Sequence, residues 1–342
     1  MLSKAHKTNY GAVKTSTNCE YPMSSTLPSF EEFKALPHAI TLLGMSGVGK
    51  TMLSTSLRRH ANWFHYSADY RIGTTYLAEH ILDNIKFRIM RTDPFVADLL
   101  RSDSIYINHN ISVDNLDPVS TYLGMFGDPK TGGLDKTTFL ERQEQYRDAE
   151  VNSMCDVGRF LEKAWKIYSC GNFINDSSGS LCEIADIEDA DDPVITSLRE
   201  NSLIVYIRAN AKGEEALKRR AESNPKPLFY HPTFIDKHLS GQPDDGVGVD
   251  REEFARRLFP LLLEDRKPRY ERFAENYGFS IDVERLFCGD EDSGHVPDTD
   301  AFLKQLYELI SEQSATNTVA SDNARRYLKV CQERARVRAL PR

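Results

Sequence analysis

The chain has 342 residues, 40% of them apolar and 27% charged, a balance that suits a globular protein of one large domain or two modest ones. A net charge of −8 and a pI near 5.7 exclude a general nucleic-acid binder, whose surface is basic, but leave room for a local pocket of cations. The longest apolar run, "LFPLLL" at Leu258–Leu263, is too short to span a bilayer, the first twenty residues lack the apolar core of a secretory signal, and the six cysteines form neither a CxxC pair nor a zinc-spaced cluster, so a cytoplasmic chain with reduced thiols and no membrane partner is expected.

In chain order, residues 1–36 read as a polar tail, with one short helix in "PSFEEFKAL". "AITLLG" (Ala39–Gly44) is a buried strand ending at glycine, and "TMLSTSLRRH" is a helix with Leu53 and Leu57 on one face. "WFHYSADY" (Trp63–Tyr70) reads as a second strand ending at Asp69. From about 74 to 169 there is no strong strand; two helical stretches flank the turn-rich "DNLDPVSTYLGMFGDPKTGG", so a mainly helical insertion is expected. "GNFINDSSGS" gives a third strand breaking at Asp176, "DPVITSLREN" a helix, and "SLIVYIRA" the clearest strand of all. A charged helix, "GEEALKRRAESN", runs into prolines that stop it; a long helix over "REEFARRLFPLLLEDRKPRYERFAENYG", a last strand over "FSIDVERL" and a helix over "DAFLKQLYELISEQ" follow. Strands alternating with helices predict an α/β fold with a mainly parallel sheet, a domain spanning 37–310, a lid at about 210–245, and a polar, then basic, extension over 311–342 that reads as a solvated helix rather than a nucleic-acid arm.

"GMSGVGKT" (Gly44, Met45, Ser46, Gly47, Val48, Gly49, Lys50, Thr51) satisfies G-x-x-x-x-G-K-[ST] between a strand and a helix. Glycines there let successive N–H groups turn towards phosphate oxygens, and the following helix adds its positive N-terminal end. Lys50 is placed to reach the β- and γ-phosphates of a nucleotide, and the Thr51 hydroxyl to bind Mg²⁺.

Three further features point from holding phosphate towards transferring it. Asp69, at a strand's carboxyl end, faces the γ-phosphate region, where it could take a proton from an attacking hydroxyl or hold a metal-bound water. The segment after the fourth strand carries Arg208, Lys212, Lys218, Arg219, Arg220 and Lys226, cations able to close over a transferring phosphoryl group. Arg266, Arg269 and Arg272 surround Tyr270, an arrangement suited to an anionic group on an acceptor. Asp176, ending the third strand, is placed to bind Mg²⁺ directly or through water. "DSSG" also fits the D-x-x-G of GTPases, but the guanine-reading N/T-K-x-D element is missing, since "NPKP" has no aspartate.

The order of these parts resembles the shikimate-kinase-like branch of the P-loop kinases, relatives of the nucleoside monophosphate kinases, over roughly 38–72 and 171–285. The counterparts are Gly44–Thr51 for the cradle, Asp69 for the acidic motif, "LIVYIRA" for the fourth strand, "KPLF" at Lys226–Phe229 for the lid, and "RKPRYERFA" at Arg266–Ala274 for the acceptor helix. The resemblance implies a P-loop NTPase three-layer fold with a five-stranded parallel sheet in the order 2-3-1-4-5, and ATP with Mg²⁺ as donor. It also implies a nucleotide-contacting lid role for Lys226 and acceptor-binding roles for Asp69, Gly179 and Arg266. Lys226 stands where that family has arginine, Arg269 replaces a leucine, Gly179 is the only glycine where three are expected, and nearly a hundred residues replace a short acceptor-binding insertion. The acceptor expected is therefore larger than shikimate or different from it, with contacts from "LGMFGDPKTGGLDK". An ATP-dependent small-molecule kinase is the expected activity; an ATPase driving a conformational change or a partner is the alternative, and a nucleotide-binding module without turnover a third.

Overall fold

The computed structural model describes residues 27–60, 62–287 and 296–339, so Cys19, Cys288 and most of the expected N-terminal tail lie outside it. Five parallel strands, β1 (Ala39–Leu43), β2 (Trp63–Ser67), β3 (Asn172–Asp176), β4 (Leu203–Arg208) and β5 (Gly278–Asp282), form one sheet in the order β2-β3-β1-β4-β5. This is the α/β P-loop three-layer arrangement, and β1 is buried at all its positions, as a central strand must be when helices cover both faces. The register sets Asp176 level with Leu42 of β1 and Ser67 of β2, so three strands end at one rim.

The helices before the third strand are α1 (Phe30–Lys34), α2 (Lys50–His60), α3 (Ala68–Arg71), α4 (Ala78–Thr92), α5 (Pro94–Arg101), α6 (Asp117–Leu123), α7 (Lys136–Cys155) and α8 (Val157–Lys166). Those after it are α9 (Leu181–Ile184), α10 (Pro193–Asn201), α11 (Ala211–Ser223), α12 (Pro232–Leu239), α13 (Arg251–Tyr277), α14 (Val283–Leu286), α15 (Thr299–Thr316) and α16 (Thr318–Ala339). Two strands are shorter than the sequence suggests. β2 stops at Ser67 because the Ser67 hydroxyl accepts the Tyr70 amide and opens a helical turn, which places Asp69 in α3 rather than on the strand. The last strand stops at Asp282, and "VERL" turns into α14.

Both ends of the described chain join the main core. Ser29 and Glu32 form a reciprocal cap on α1, whose Phe33 is fully buried against His38 and Tyr307. The region set apart in the sequence reading as an extension from 311 is also folded in: α16 buries Ala324, Tyr327, Leu328 and Cys331 in the core that holds β1. His38 is locked between them; its Nε2–H donates to the Phe33 carbonyl and its Nδ1 accepts from Tyr327 Oη, and burial pushes its pKa down to about 4.

A second apolar cluster joins Phe126, Leu134 and Phe139 of the insertion to Phe234, Ile235 and Leu239 of α12 and to Phe254, Leu258 and Leu262 of α13. Each such side chain contributes roughly 1.5–3 kcal/mol when buried. The second half of the segment expected as a lid is thus anchored to the insertion. "LGMFGDPKTGGLDK" is anchored as well: Asp128 donates its amide to the Val249 carbonyl, and Arg251 donates to Gly132 O at 2.7 Å. It packs on residues 244–251. Cys155, Cys170, Cys182 and Cys331 are free thiols, and among the described residues no helix is long and apolar enough to cross a membrane.

Candidate active site

Gly44 leaves β1 into a turn that ends where α2 begins, at Lys50. Gly47 and Gly49 have φ of 93° and 101°, and a Cβ on Gly49 would stand 2.7 Å from the Phe287 ring, so both conformation and space demand glycine. Met45 and Val48 point their side chains into the core, whereas Ser46 is exposed. The amides of Gly47, Gly49, Lys50 and Thr51 have no acceptor among the described residues, which leaves a ring of donors of the kind that receives phosphate. Thr51 is exposed in the first turn of α2.

Lys50 is buried, with Nζ donating to the carbonyls of Gly44 at 2.6 Å and Met45 at 3.1 Å. Burial lowers the pKa of its ammonium; the charges of Asp176 and then Asp69 work against that. Asp176 is buried at the end of β3, with His65 Nε2 3.4 Å away. The pKa of Asp69 is pushed up to about 6, first by burial and then by the charge of Asp176, while Lys50 and a hydrogen bond from Tyr146 pull it down. The structure therefore brings Lys50, Asp69 and Asp176 together at one rim of the sheet.

Two residues of this site come from the insertion and escape the sequence reading. Tyr146 Oη donates to Asp69 Oδ1 at 3.2 Å, and its ring stacks on Phe229 with centroids 5.8 Å apart. One turn further along α7, Glu150 is fully buried and accepts from Ser180 Oγ at 2.6 Å and from Ser178 Oγ. Burial pushes its pKa up to about 7 although both serines lower it. The available signal is the stripe Phe139, Gln143, Tyr146, Glu150 and Ser153, which has the spacing of a buried face but carries polar groups.

The expected cations fare differently. Arg220 reaches the cradle, donating from Nη2 to Gly47 O at 3.4 Å. Arg219, on another side of α11, lies with Glu222, Arg256 and Phe259 in a small hollow against α13. Lys226 is exposed beyond α11 and makes no hydrogen bond or ion pair among the described residues. Arg266 sits near Lys50 but is already engaged: Nε and Nη2 donate to Glu183 Oε2 at 2.8 and 2.5 Å, Nη1 to Gly179 O at 2.7 Å, and Nη2 to Phe229 O at 2.8 Å. Burial alone would lower its pKa, but the Glu183 charge prevails and keeps the guanidinium protonated. The fork expected to hold an acceptor is engaged here by Glu183, Gly179 and Phe229. Gly179 also serves the protein: a Cβ there would stand 2.8 Å from the Ser46 amide, and its carbonyl accepts from Tyr270 Oη at 2.5 Å as well as from Arg266.

Strand order and phosphate cradle together define a protein of the α/β P-loop fold. No family model and no curated protein matches the chain. Among solved structures it is similar to shikimate kinase from Bacteroides thetaiotaomicron, at 18% identity and a TM-score of 0.36, over 80% of this chain and 98% of that one. It is likewise similar to shikimate kinase from Acinetobacter baumannii in complex with shikimate, at 15% identity and a TM-score of 0.33, over 84% of this chain and 98% of that one.

Proposed function

We propose that the chain is an ATP-dependent phosphotransferase that moves the γ-phosphate of ATP to a small molecule. The observation that carries this reading is the convergence of Lys50, Asp69 and Asp176 beside the ring of free amides, with the Asp69 pKa at about 6. A carboxylate of that basicity is mostly ionised at neutral pH yet still able to accept a proton from an attacking hydroxyl. The amides of Gly47, Gly49, Lys50 and Thr51 hold the phosphates, Lys50 leaves the Gly44 and Met45 carbonyls for the β/γ bridge, and Arg220 supports the transferring group from α11.

Among the described residues no group of three or more His, Cys, Asp or Glu could hold a metal by itself. Thr51 and Asp176 are the residues to hold Mg²⁺, with nucleotide phosphates and water as its remaining ligands. Bound there, the ion neutralises charge on the β- and γ-oxygens during transfer. The acidic chain fits a small-molecule acceptor rather than nucleic acid, and the cytoplasm, where ATP is supplied, is the proposed location.

A second reading, an ATPase, is favoured by two features: Arg266 is spent on Glu183, and Tyr146, stacked on Phe229, occupies Asp69 Oδ1, so water reaches that carboxylate more easily than a metabolite does. One assay separates the readings. The purified chain is incubated with γ-labelled ATP, Mg²⁺ and a metabolite library. Label on a metabolite supports the transferase, label released only as inorganic phosphate supports the ATPase, and bound nucleotide without turnover overturns both.

A further inference from the structure

Behind the Tyr146–Phe229 pair lies a cleft of about 1370 Å³, larger than a drug-sized ligand pocket. It opens between α7, the chain after β3, the start of α12 and the middle of α13. Its floor is apolar, from Leu140, Ile184, Tyr230 and Ile235. Its walls are not balanced in charge: eight acidic residues line it against three arginines.

All three arginines are already matched, Arg269 with Asp265 at 3.0 Å, Arg272 with Glu188 at 2.6 Å and Arg147 with Asp148 at 3.8 Å. The deepest carboxylate, Glu183, is held by Arg266, and Glu271 by Arg208. Four carboxylates, Glu144, Asp186, Asp236 and Glu275, have no ion pair among the described residues, and all four are exposed. Burial and the Arg269 charge lower the His231 pKa. An anion would meet uncompensated repulsion in this cleft, whereas a cation with some apolar surface would meet both complementary walls and a floor.

We propose that the cleft binds a multiply protonated, amine-bearing ligand of oligosaccharide size, with a hydroxyl directed at the Tyr146–Phe229 wall. Its identity as the phosphoryl acceptor rests on the transferase reading above; its binding does not. Phe229 lines the cleft, Tyr146 stacks on Phe229, and Tyr146 bonds Asp69, so this pair is the partition that must turn aside for the hydroxyl to reach the carboxylate. If the hydroxyl attacks, its proton passes to Asp69, a new O–P bond forms, and the bond from the γ-phosphorus to the β–γ bridging oxygen breaks with ADP leaving. The acidic cleft and the committed Arg266 together argue against a carboxylate-bearing acceptor.

The probe is tri-glucosamine, compared with its N-acetylated form, which keeps the size and ring hydroxyls but lacks the amine charges. Binding is measured by calorimetry in mildly acidic buffer, without nucleotide, on the wild-type chain and on the double variant Glu144→Lys/Asp236→Lys. Both positions are exposed and outside the machinery around Asp69, and circular dichroism and a thermal melt check the variant's fold. The expected result is at least about tenfold tighter binding of the amine form, weakened by salt, and a loss of about tenfold or more in the double variant. Equal binding of the two sugars, binding of neither, or undiminished binding by a folded double variant overturns the proposal. Amine-selective binding lost in the double variant, in a chain that transfers no phosphate, supports the cleft and removes only the transferase reading. Transfer to a metabolite with no such binding removes only the cleft.

Discussion

Tyr146 Oη lies 3.2 Å from Asp69 Oδ1, a hydrogen bond between an insertion helix and the turn after β2. It makes the insertion part of the site rather than an ornament upon it. The bond holds the Asp69 carboxylate in place and lowers its pKa against the pull of burial.

Replacing Tyr146 with phenylalanine keeps the stack on Phe229 and deletes that bond. A hydrogen bond to a charged group is worth about 1.5–3 kcal/mol, so the Asp69 pKa should climb by roughly one unit or more. The expected outcome is that the acidic limb of the kcat/KM profile moves to higher pH by that amount, with a lower rate at neutrality. An unmoved limb would show that Asp69 is not the titrating base.

Lys50→Ala removes the ammonium from the cradle. Loss of one preorganised charge-stabilising group costs on the order of 10²–10³ in rate, and the same scale is expected for ATP turnover here. The circular dichroism spectrum should not change. Turnover at the wild-type rate would remove Lys50 from the site.

Arg266→Met tests whether that arginine serves structure or an acceptor. Breaking one partner out of a buried pair strands Glu183 and is expected to cost about 3–5 kcal/mol of stability in urea unfolding. The double variant Arg266→Met/Glu183→Leu should recover much of that loss, because no charge is then left unpaired. A single variant as stable as wild type would return Arg266 to the acceptor role.

Glu150 makes stability depend on pH in a definite direction. Its folded pKa of about 7 lies above the ordinary value, so the folded chain binds more protons than the unfolded one in the window between them. Its stabilising contribution is therefore complete below the unfolded value and is lost as pH rises through the folded one. Glu150→Gln should gain on the wild type as pH rises from about 4.5 to 7, by up to about 3 kcal/mol. Comparing the two proteins removes the opposite effect of buried His38, whose low pKa makes stability rise with pH over part of that range. A stability difference constant across the window would mean that Glu150 is not a buried, titrating carboxyl.

How much of this was legible depends on whether the signal is local. The sheet was, because "AITLL" and "LIVYI" are strands by their own composition and the octapeptide between β1 and α2 dictates its own turn. Asp69 and Asp176 could be placed at the rim because each stands at or just past a strand's end. Arg266 could not be read correctly from its neighbours: the partner that spends its charge, Glu183, lies 83 residues away. Tyr146 and Glu150 were hidden for the converse reason. A polar residue on a long helix reads as solvated until a second element, here the Ser178–Ser180 turn, is seen to cover it.

The packing of α16 bears on how a fragment of this chain would behave. Tyr327 seals one end of β1 through His38, and Cys331 is buried in the same core. A recombinant piece cut back to about 310 would uncover that seam, strip His38 of its phenol partner, and leave an oily scar along the helices that α16 normally roofs. Such a piece would clump in solution before its cradle could be assayed, so the basic tail belongs in any expression clone.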